Sequence, residues 1–266
     1  MTRATPDAPA TRQDRRRLEL EQRREQRRVA RENPPSSPLR SPMVLFTGGA
    51  VVVGLLIVGF MLLSQPAAPS VADLIPPNSD IPAGAVADGR TLGNPDAKVT
   101  VEIWSDFQCP ACMNFATVIE PPTISLYVVQ GKVRLIYRDA AFQGQRYAYD
   151  ESTEAAAAAR CAADQGLFWQ MHDWIYANWN GENEGAFKAD RLRAIATAAG
   201  LNLATYDACM ATGDQQSAVR NETAAAVATG VNQTPTFVIN GTPVVGSPQN
   251  FAAFAVILDQ AYAAVP

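Results

Sequence analysis

Residues 98–119 read KVTVEIWSDFQCPACMNFATVI, and this stretch decides the fold of the chain. Its first seven residues are rich in β-branched and aromatic side chains, which predicts a strand that runs into a loop at Ser105. Two cysteines separated by Pro110 and Ala111 follow, and the proline suits the first position of a helix. The mostly apolar residues after Cys112 predict that helix, so the two cysteines lie at its N-terminus.

This motif belongs to a βαβ unit that is followed by a purely helical section. Residues 133–137 (VRLIY) predict a second strand, and the helix between the strands should break or kink at Pro121 and Pro122. Alanine replaces the strand signals between about 150 and 230, which predicts an inserted block of five helices. The predicted limits of these helices are 152–161, 167–178, 188–199, 203–212 and 214–229.

The C-terminal residues complete an α/β fold. Residues 236–239 predict a strand, Asn240-Gly241 a hairpin turn, residues 243–245 its partner, and residues 251–264 a closing helix. The order of elements is therefore β-α-β, a helical block and β-β-α. We predict one α/β domain over residues 89–266.

The residues before this domain differ from it in composition. Residues 1–42 hold 11 of the 22 basic residues, all Arg, and 6 of the 26 acidic ones, so this tail carries +5 and the remainder −9. Residues 43–63 have no ionisable side chain and would form a helix of about 31 Å, enough to cross a bilayer core. By the positive-inside rule the tail stays cytoplasmic and the C-terminal domain lies outside. A cleaved signal peptide is the alternative.

Two other features of the chain bear on its partners. Residues 64–88 are rich in proline and small side chains, which predicts a flexible linker that spans roughly 25 to 30 Å. We interpret the basic tail as a solvated topology signal near anionic lipid. The net charge of −4 and the acidic body give no support for nucleic-acid binding.

The cysteine motif and a distant second motif together resemble one known family. Residues 106–112 (DFQCPAC) and 234–241 (TPTFVING) are similar to those of the DsbA-like thiol-disulfide oxidoreductases of the thioredoxin superfamily. The resemblance covers about residues 93–264. It implies a thioredoxin fold with an inserted helical subdomain. In this chain the fold would follow the one transmembrane helix predicted above from residues 43–63. It also implies that Pro235 is a cis-proline and that the backbone of Thr234 pairs with a bound peptide.

Cys109 is the predicted exposed nucleophile, and Cys112 is its resolving partner. A cysteine at a helix N-terminus lies beside unpaired N–H groups and the positive end of the helix dipole, which lowers its pKa. Strongly oxidising members of the family carry a His in the place of Ala111, so we expect an oxidant of moderate potential. A zinc half-site is less favoured because the chain offers no second close pair of ligands. A purely structural Cys109–Cys112 bond would close a ring too small to stabilise much.

Three ionisable residues are candidates for supporting roles. Glu102 lies inside the first strand, where a buried carboxylate could exchange protons with the resolving thiol; a solvent-facing edge position is the alternative. Asp106 lies in a loop, where we expect a solvated side chain. His172 is the only histidine, and the aromatic residues around it in the sequence favour packing over catalysis.

The remaining cysteines lie on separate helices of the predicted insertion. An extracytoplasmic domain can keep disulfides, so we predict a structural bond between Cys161 and Cys209, which are 48 residues apart. A second redox pair that relays electrons is the alternative. Thr242-Pro243 follows the hairpin turn and is interpreted as part of it rather than as a second cis-proline site.

These features predict a membrane-anchored, extracytoplasmic thiol-disulfide oxidoreductase, most directly a dithiol oxidase for exported proteins with reduced cysteines. The resemblance implies reoxidation by a membrane quinone-linked partner of the DsbB or vitamin K epoxide reductase type. We expect neither an organic cofactor nor a metal. A glycan at the Asn232 sequon would obstruct Thr234, which favours a bacterial cell membrane. The alternatives are a reductase or isomerase fed by a transmembrane electron donor, and a non-catalytic peptide-binding module.

Overall fold

A computed structural model describes residues 12–32, 53–58, 70–78, 81 and 85–266. The chain divides into two units, Met1–Ala67 and Ala68–Pro266. In the first unit, α1 (Arg12–Glu32) is a charged helix in which Arg28 pairs with Glu25 at 2.9 Å.

The predicted membrane segment, residues 43–63, is described only at 53–58, which are helical, and its other residues lie outside the described ranges. Within the described ranges, no helix combines the length and the apolar character needed to cross a bilayer.

The second unit is built on a mixed sheet. Its described strands are β1 (Ala87–Asp88), β2 (Thr91–Leu92), β3 (Val99–Ser105), β4 (Val133–Asp139), β5 (Thr236–Ile239) and β6 (Thr242–Pro243). The order across the sheet is β1-β2-β4-β3-β5-β6, with β3 parallel to β4 and antiparallel to β5. Every second residue of β3 and β4 is buried, as expected of strands whose side chains alternate between two faces.

One helix, α2 (residues 110–128), connects β3 to β4. Its successive segments are Pro110–Asn114, the π-helical Phe115–Ile119, Glu120–Thr123 and the π-helical Ile124–Val128. The expected break at Pro121 and Pro122 does not occur. Proline has no N–H to donate, and the turn just before the pair is widened: Glu120 N–H bonds to Phe115 O, five residues back.

The predicted insertion is confirmed as five helices, each within two residues of its expected limits. They are α3 (Glu151–Ala163), α4 (Phe168–Ala177), α5 (Ala189–Ala198), α6 (Leu203–Thr212) and α7 (Asp214–Ala228), and α8 (Phe251–Ala264) closes the fold. The rings of Phe115, Phe237 and Phe254 lie 4.8–5.4 Å apart and join α2, β5 and α8. This cluster holds the start of α2 firmly against the sheet.

Part of the predicted linker packs on the domain instead of extending freely. Leu74 is buried, and the side-chain amide of Asn178 both accepts from Ile75 N–H and donates to Ile75 O, each at 2.9 Å. The apolar Leu74 and this paired hydrogen bond hold residues 70–78 against the insertion. Composition alone indicated a linker because the anchoring partner lies more than a hundred residues away.

Candidate active site

Cys109 is the residue that precedes α2, with Pro110 in the first helical position. Its backbone is extended, and its carbonyl accepts the N–H of Met113 at 3.0 Å. The sulfur therefore lies where the first N–H groups of the helix have no partner within the helix. Cys109 is only 4% exposed, so the expected exposed nucleophile is largely covered by its surroundings.

The two thiols are unbonded, and their protonation differs strongly. A hydrogen bond with Cys112, together with contacts from Thr234 and from the backbone of Cys112 and Ala111, lowers the pKa of Cys109 to about 6 against the effect of burial. Burial raises the pKa of Cys112 well above its ordinary value, and the neighbouring Cys109 raises it further. At neutral pH, Cys109 is the thiolate and Cys112 keeps its proton.

The second motif lies directly against the first. The peptide bond between Thr234 and Pro235 is cis, and the carbonyl oxygen of Thr234 lies 3.4 Å from Cys109 Sγ. The carbonyl of Pro235 accepts a hydrogen bond from Ser247 Oγ at 3.0 Å, just before β5 begins. Residues that are 125 positions apart in the chain thus meet at one sulfur.

Asp106 differs from the expected solvated loop carboxylate, because it is buried. Its two carboxylate oxygens accept the N–H groups of Gln108 and Gln143, each at 2.8 Å. Burial raises the pKa of Asp106, while these N–H groups act in the opposite direction. The residue therefore ties the loop before Cys109 to the loop after β4.

Gln108 provides a second set of contacts that fix the loop before the nucleophile. Its carbonyl accepts from Trp179 Nε1 at 3.1 Å, and its side chain contacts the buried carboxylate of Glu151. Glu151 also accepts the N–H groups of Gly185 and Phe187 at 2.7 and 2.8 Å. Sequence reasoning missed these contacts, since Trp179, Glu151 and the loop at 185–187 lie outside the two quoted motifs.

Glu102 does not lie beside the thiols. It lies on the central strand β3, so the edge alternative does not apply, and it follows the alternation that puts Ile103 on the opposite face. Its carboxylate accepts from Arg138 Nε at 2.8 Å and is 28% exposed. The proton-exchange role predicted for Glu102 has no geometric support, because its partner is this arginine.

Ser105 is the hydroxyl that contacts the resolving thiol. It follows Ile103 by two positions on the same face of β3, and a hydrogen bond from it lowers the pKa of Cys112 against the effect of burial. Ser105 Oγ lies 2.9 Å from the buried hydroxyl of Tyr176 in α4. The structure thus places a pair of hydroxyl groups where the sequence suggested a carboxylate.

Cys161 and Cys209 form a disulfide with an S–S distance of 1.99 Å. The bond joins α3 to α6 within the insertion. It does not involve the pair at the start of α2.

His172 is buried among aromatic rings, in agreement with its interpretation as a packing residue. Its ring also faces two carboxylates, with Nδ1 at 2.9 Å from Asp173 Oδ1 and 3.9 Å from Glu120 Oε1. Burial lowers the pKa of His172, but these carboxylates outweigh the effect and raise it. Burial also raises the pKa of Glu120 to about 7. No pattern in the sequence predicts that Glu120 lies near this histidine, because the two residues are 52 positions apart.

The chain is similar to a known family over the residues that form this site. A profile of the thioredoxin family matches residues 86–260, which include both cysteines and the cis-proline. The chain belongs to the thioredoxin family. The resemblance to DsbA-like proteins that its motifs suggested is confirmed by this match and by the solved structures that share its fold.

Three solved structures illustrate the shared fold of this thioredoxin-family chain. Oxidised BdbD of Bacillus subtilis superposes with a TM-score of 0.58 at 20% identity and covers 71% of this chain and 98% of its own. Oxidised DsbA and reduced DsbG, a disulfide bond oxidoreductase, both of Mycobacterium tuberculosis, have TM-scores of 0.54 at 28% identity. They cover 70% and 69% of this chain, and 95% and 88% of their own.

Curated relatives match over part of their length. A probable disulfide bond formation protein D of Bacillus cereus is 33% identical over 112 residues, which are 42% of this chain and 50% of that protein. The Na⁺/H⁺ antiporter NhaA 3 of Salinispora tropica is 32% identical over 171 residues, which are 64% of this chain and 24% of the antiporter. The chain therefore spans between a quarter and a half of these relatives.

Proposed function

We propose that the protein is a thiol-disulfide oxidoreductase that acts as a dithiol oxidase, with Cys109 and Cys112 as its redox pair. One observation carries this proposal: the pKa of Cys109 is lowered to about 6 at the start of α2, while that of the adjacent Cys112 is raised. A stabilised thiolate favours the reduced pair over its disulfide. The oxidised pair therefore tends to accept electrons from a substrate dithiol.

The exchange takes two steps. A substrate thiolate attacks Cys109 Sγ of the intramolecular disulfide, and Cys112 leaves and takes up a proton in its buried site. A second substrate thiolate then attacks the substrate sulfur of the mixed disulfide and releases Cys109 as a thiolate. The substrate loses two electrons and gains a disulfide, and the protein gains the two electrons as a dithiol. The low pKa of Cys109 makes it a good leaving group in the second step.

Substrate contact is assigned to the strip around the cis peptide bond. The Thr234 carbonyl already lies 3.4 Å from Cys109 Sγ, so a peptide that pairs with the backbone at Thr234 and Pro235 would bring its own sulfur to Cys109. Backbone pairing needs no particular side chain. This fits a substrate class of exported proteins with reduced cysteines rather than one sequence.

The location is proposed from the charge pattern of the N-terminal residues. Residues 43–63 would form a single membrane anchor, with the Arg-rich residues 1–42 in the cytoplasm and the catalytic domain outside. The disulfide between Cys161 and Cys209 is of a kind that persists in oxidising compartments. Reoxidation is assigned to a quinone-linked membrane partner of the DsbB or vitamin K epoxide reductase type.

The redox potential of the pair tests the direction of the reaction. We expect a potential of about −180 to −120 mV, well above the roughly −270 mV of thioredoxin, after equilibration with glutathione buffers. The full chain in detergent is used, with Cys161→Ala and Cys209→Ala so that only one pair titrates. A value at or below that of thioredoxin would overturn the oxidase and favour the reductase alternative.

Substitution of the nucleophile tests whether the pair is catalytic at all. Cys109→Ser should abolish oxidation of a dithiol peptide, because the sulfur that receives the substrate is missing. The double variant Cys161→Ala and Cys209→Ala is the matched control and should keep its activity below its unfolding temperature. Equal rates for Cys109→Ser and the wild-type chain would overturn the assignment of Cys109 as the nucleophile. Slow alkylation of the reduced wild-type chain at neutral pH would instead support a non-catalytic peptide-binding module.

A further inference from the structure

Three possible metal ligands converge in the interior of the domain. Glu120 comes from the middle of α2, and His172 and Asp173 come from α4. One ligand atom from each residue lies within 4.8 Å of the other two. The proposed thiol chemistry uses none of these three side chains.

Glu120 is buried, and its carboxylate has no hydrogen-bond partner among the residues that the structure describes. Its side chain is 3% exposed, and its Oε1 lies 3.9 Å from His172 Nδ1, which is too long for a hydrogen bond. A buried carboxylate without a partner is costly, and burial beside a second carboxylate, Asp173, adds to the cost. A bound cation would offset both charges at once.

The surroundings of His172 hold its ring in one orientation. Five aromatic rings pack around it at centroid distances of 4.9–6.0 Å, from Phe107, Tyr137, Phe168, Trp169 and Tyr176. Such packing fixes the direction of Nδ1 and keeps water away from most of the site. A metal ligand needs this kind of support from the residues around it.

The site also has an access route. The side chain of Asp173 is 13% exposed and lines a cavity of about 280 Å³. This cavity is bounded on its other sides by Pro76, Met113 and Trp179. It is large enough to admit an ion and to supply water as a further ligand.

We propose that Glu120, His172 and Asp173 bind one divalent transition-metal ion, with Zn²⁺ as the ion that fits best. One imidazole nitrogen and two carboxylate oxygens match the ligands that Zn²⁺ accepts, with water in the fourth position. Mg²⁺ and Ca²⁺ fit less well because they prefer oxygen ligands alone. The ion would tie α2, the helix that starts at Cys109, to α4 of the insertion.

Zinc binding by the full chain tests this proposal. The protein is kept in detergent with the Cys109–Cys112 pair oxidised, so that these thiols cannot ligate the metal. Competition with a chromophoric chelator should reveal one Zn²⁺ per chain, and Glu120→Gln should weaken binding at least a hundredfold. Glu154→Gln, on α3 and outside the cluster, should bind as the wild-type chain does.

Two further readouts separate a ligand set from a structural effect. Zn²⁺ should raise the unfolding temperature of the wild-type chain but not that of Asp173→Asn, whose partly exposed side chain makes this variant the better tolerated one. Co²⁺ in place of Zn²⁺ should give a visible absorption band that Asp173→Asn lacks. Absence of zinc binding, or equal binding by the wild-type chain and both cluster variants, would overturn the proposal.

Discussion

The reactivity of Cys109 depends on the position at which α2 begins. The residue comes before the first helical turn, where unpaired N–H groups and Cys112 stabilise its thiolate. Cys112, three residues later, has the same chemical group but is enclosed by the core. Cys109 is therefore the better leaving group, and Cys112, one helical turn later, is the group that holds a proton. The difference between their pKa values can be measured.

We expect alkylation of reduced Cys109 to reach half of its maximal rate at about pH 6, whereas an unperturbed cysteine does so at about pH 8.5. Because folding lowers this pKa, the thiolate stabilises the reduced protein fully above about pH 8.5. That contribution is lost as the pH falls toward 6. The rate of iodoacetamide labelling across pH measures the midpoint, with Cys112 as the slow internal control. A midpoint above pH 8 would contradict the assignment.

Ser105 should affect the rate at which Cys112 leaves. Ser105→Ala removes a hydrogen bond that lowers the pKa of Cys112, so the thiolate that leaves in the first step is less stable. A hydrogen bond of about 0.5 to 1.5 kcal/mol predicts a rate roughly two- to tenfold slower. Stopped-flow oxidation of a dithiol peptide measures this step.

The matched controls for Ser105→Ala are Ser125→Ala and Glu102→Gln. Ser125 is an exposed serine of α2 that bonds to a carbonyl four residues back, and Glu102 pairs with Arg138 on the opposite face of β3. Both variants should oxidise the peptide at the wild-type rate. If Glu102→Gln oxidised the peptide slowly and Ser105→Ala oxidised it at the wild-type rate, the carboxylate of Glu102 would be the group that exchanges protons with Cys112.

At the scale of elements, the insertion is held together by a covalent link between α3 and α6. Cys161 is fully buried, and the bond closes a loop of 48 residues. The loop-entropy relation gives a contribution of about 4 kcal/mol for a loop of this length. The link acts mainly on the unfolded chain, so its removal should lower stability without moving the sulfur of Cys109.

The double variant Cys161→Ala and Cys209→Ala should lower the free energy of unfolding by about 4 kcal/mol in the loop-entropy relation. Urea unfolding of the oxidised chain, followed by tryptophan fluorescence, measures the change. The alkylation midpoint of Cys109 in the same variant is the control and should stay near pH 6. An unchanged unfolding midpoint would indicate that native contacts, not the covalent link, hold α3 and α6 together.

Across the molecule, the elements that the sequence predicts are those marked by local composition and periodicity. The helices of the insertion follow from alanine-rich composition and caps, and β3 and β4 follow from runs of β-branched residues. β1 and β2 have two residues each and form only by pairing, β1 with β2 and β2 with β4, so no sequence period marks them. The hydrogen bonds between Asn178 and Ile75, and the approach of Glu120 to His172, also join distant parts of the chain. No local pattern in the sequence predicts them.

The membrane anchor proposed for residues 43–63 and its direction can be tested together. With the Arg-rich tail inside, a membrane-impermeant thiol reagent should label reduced Cys109 in intact cells. A cysteine introduced by Arg23→Cys, in a chain that also carries Cys109→Ser, should be labelled only after lysis. Labelling of that cysteine in intact cells would indicate the opposite topology, with the N-terminal tail outside. Its loss from the mature protein would instead establish a cleaved signal, because only cleavage separates residue 23 from the catalytic domain.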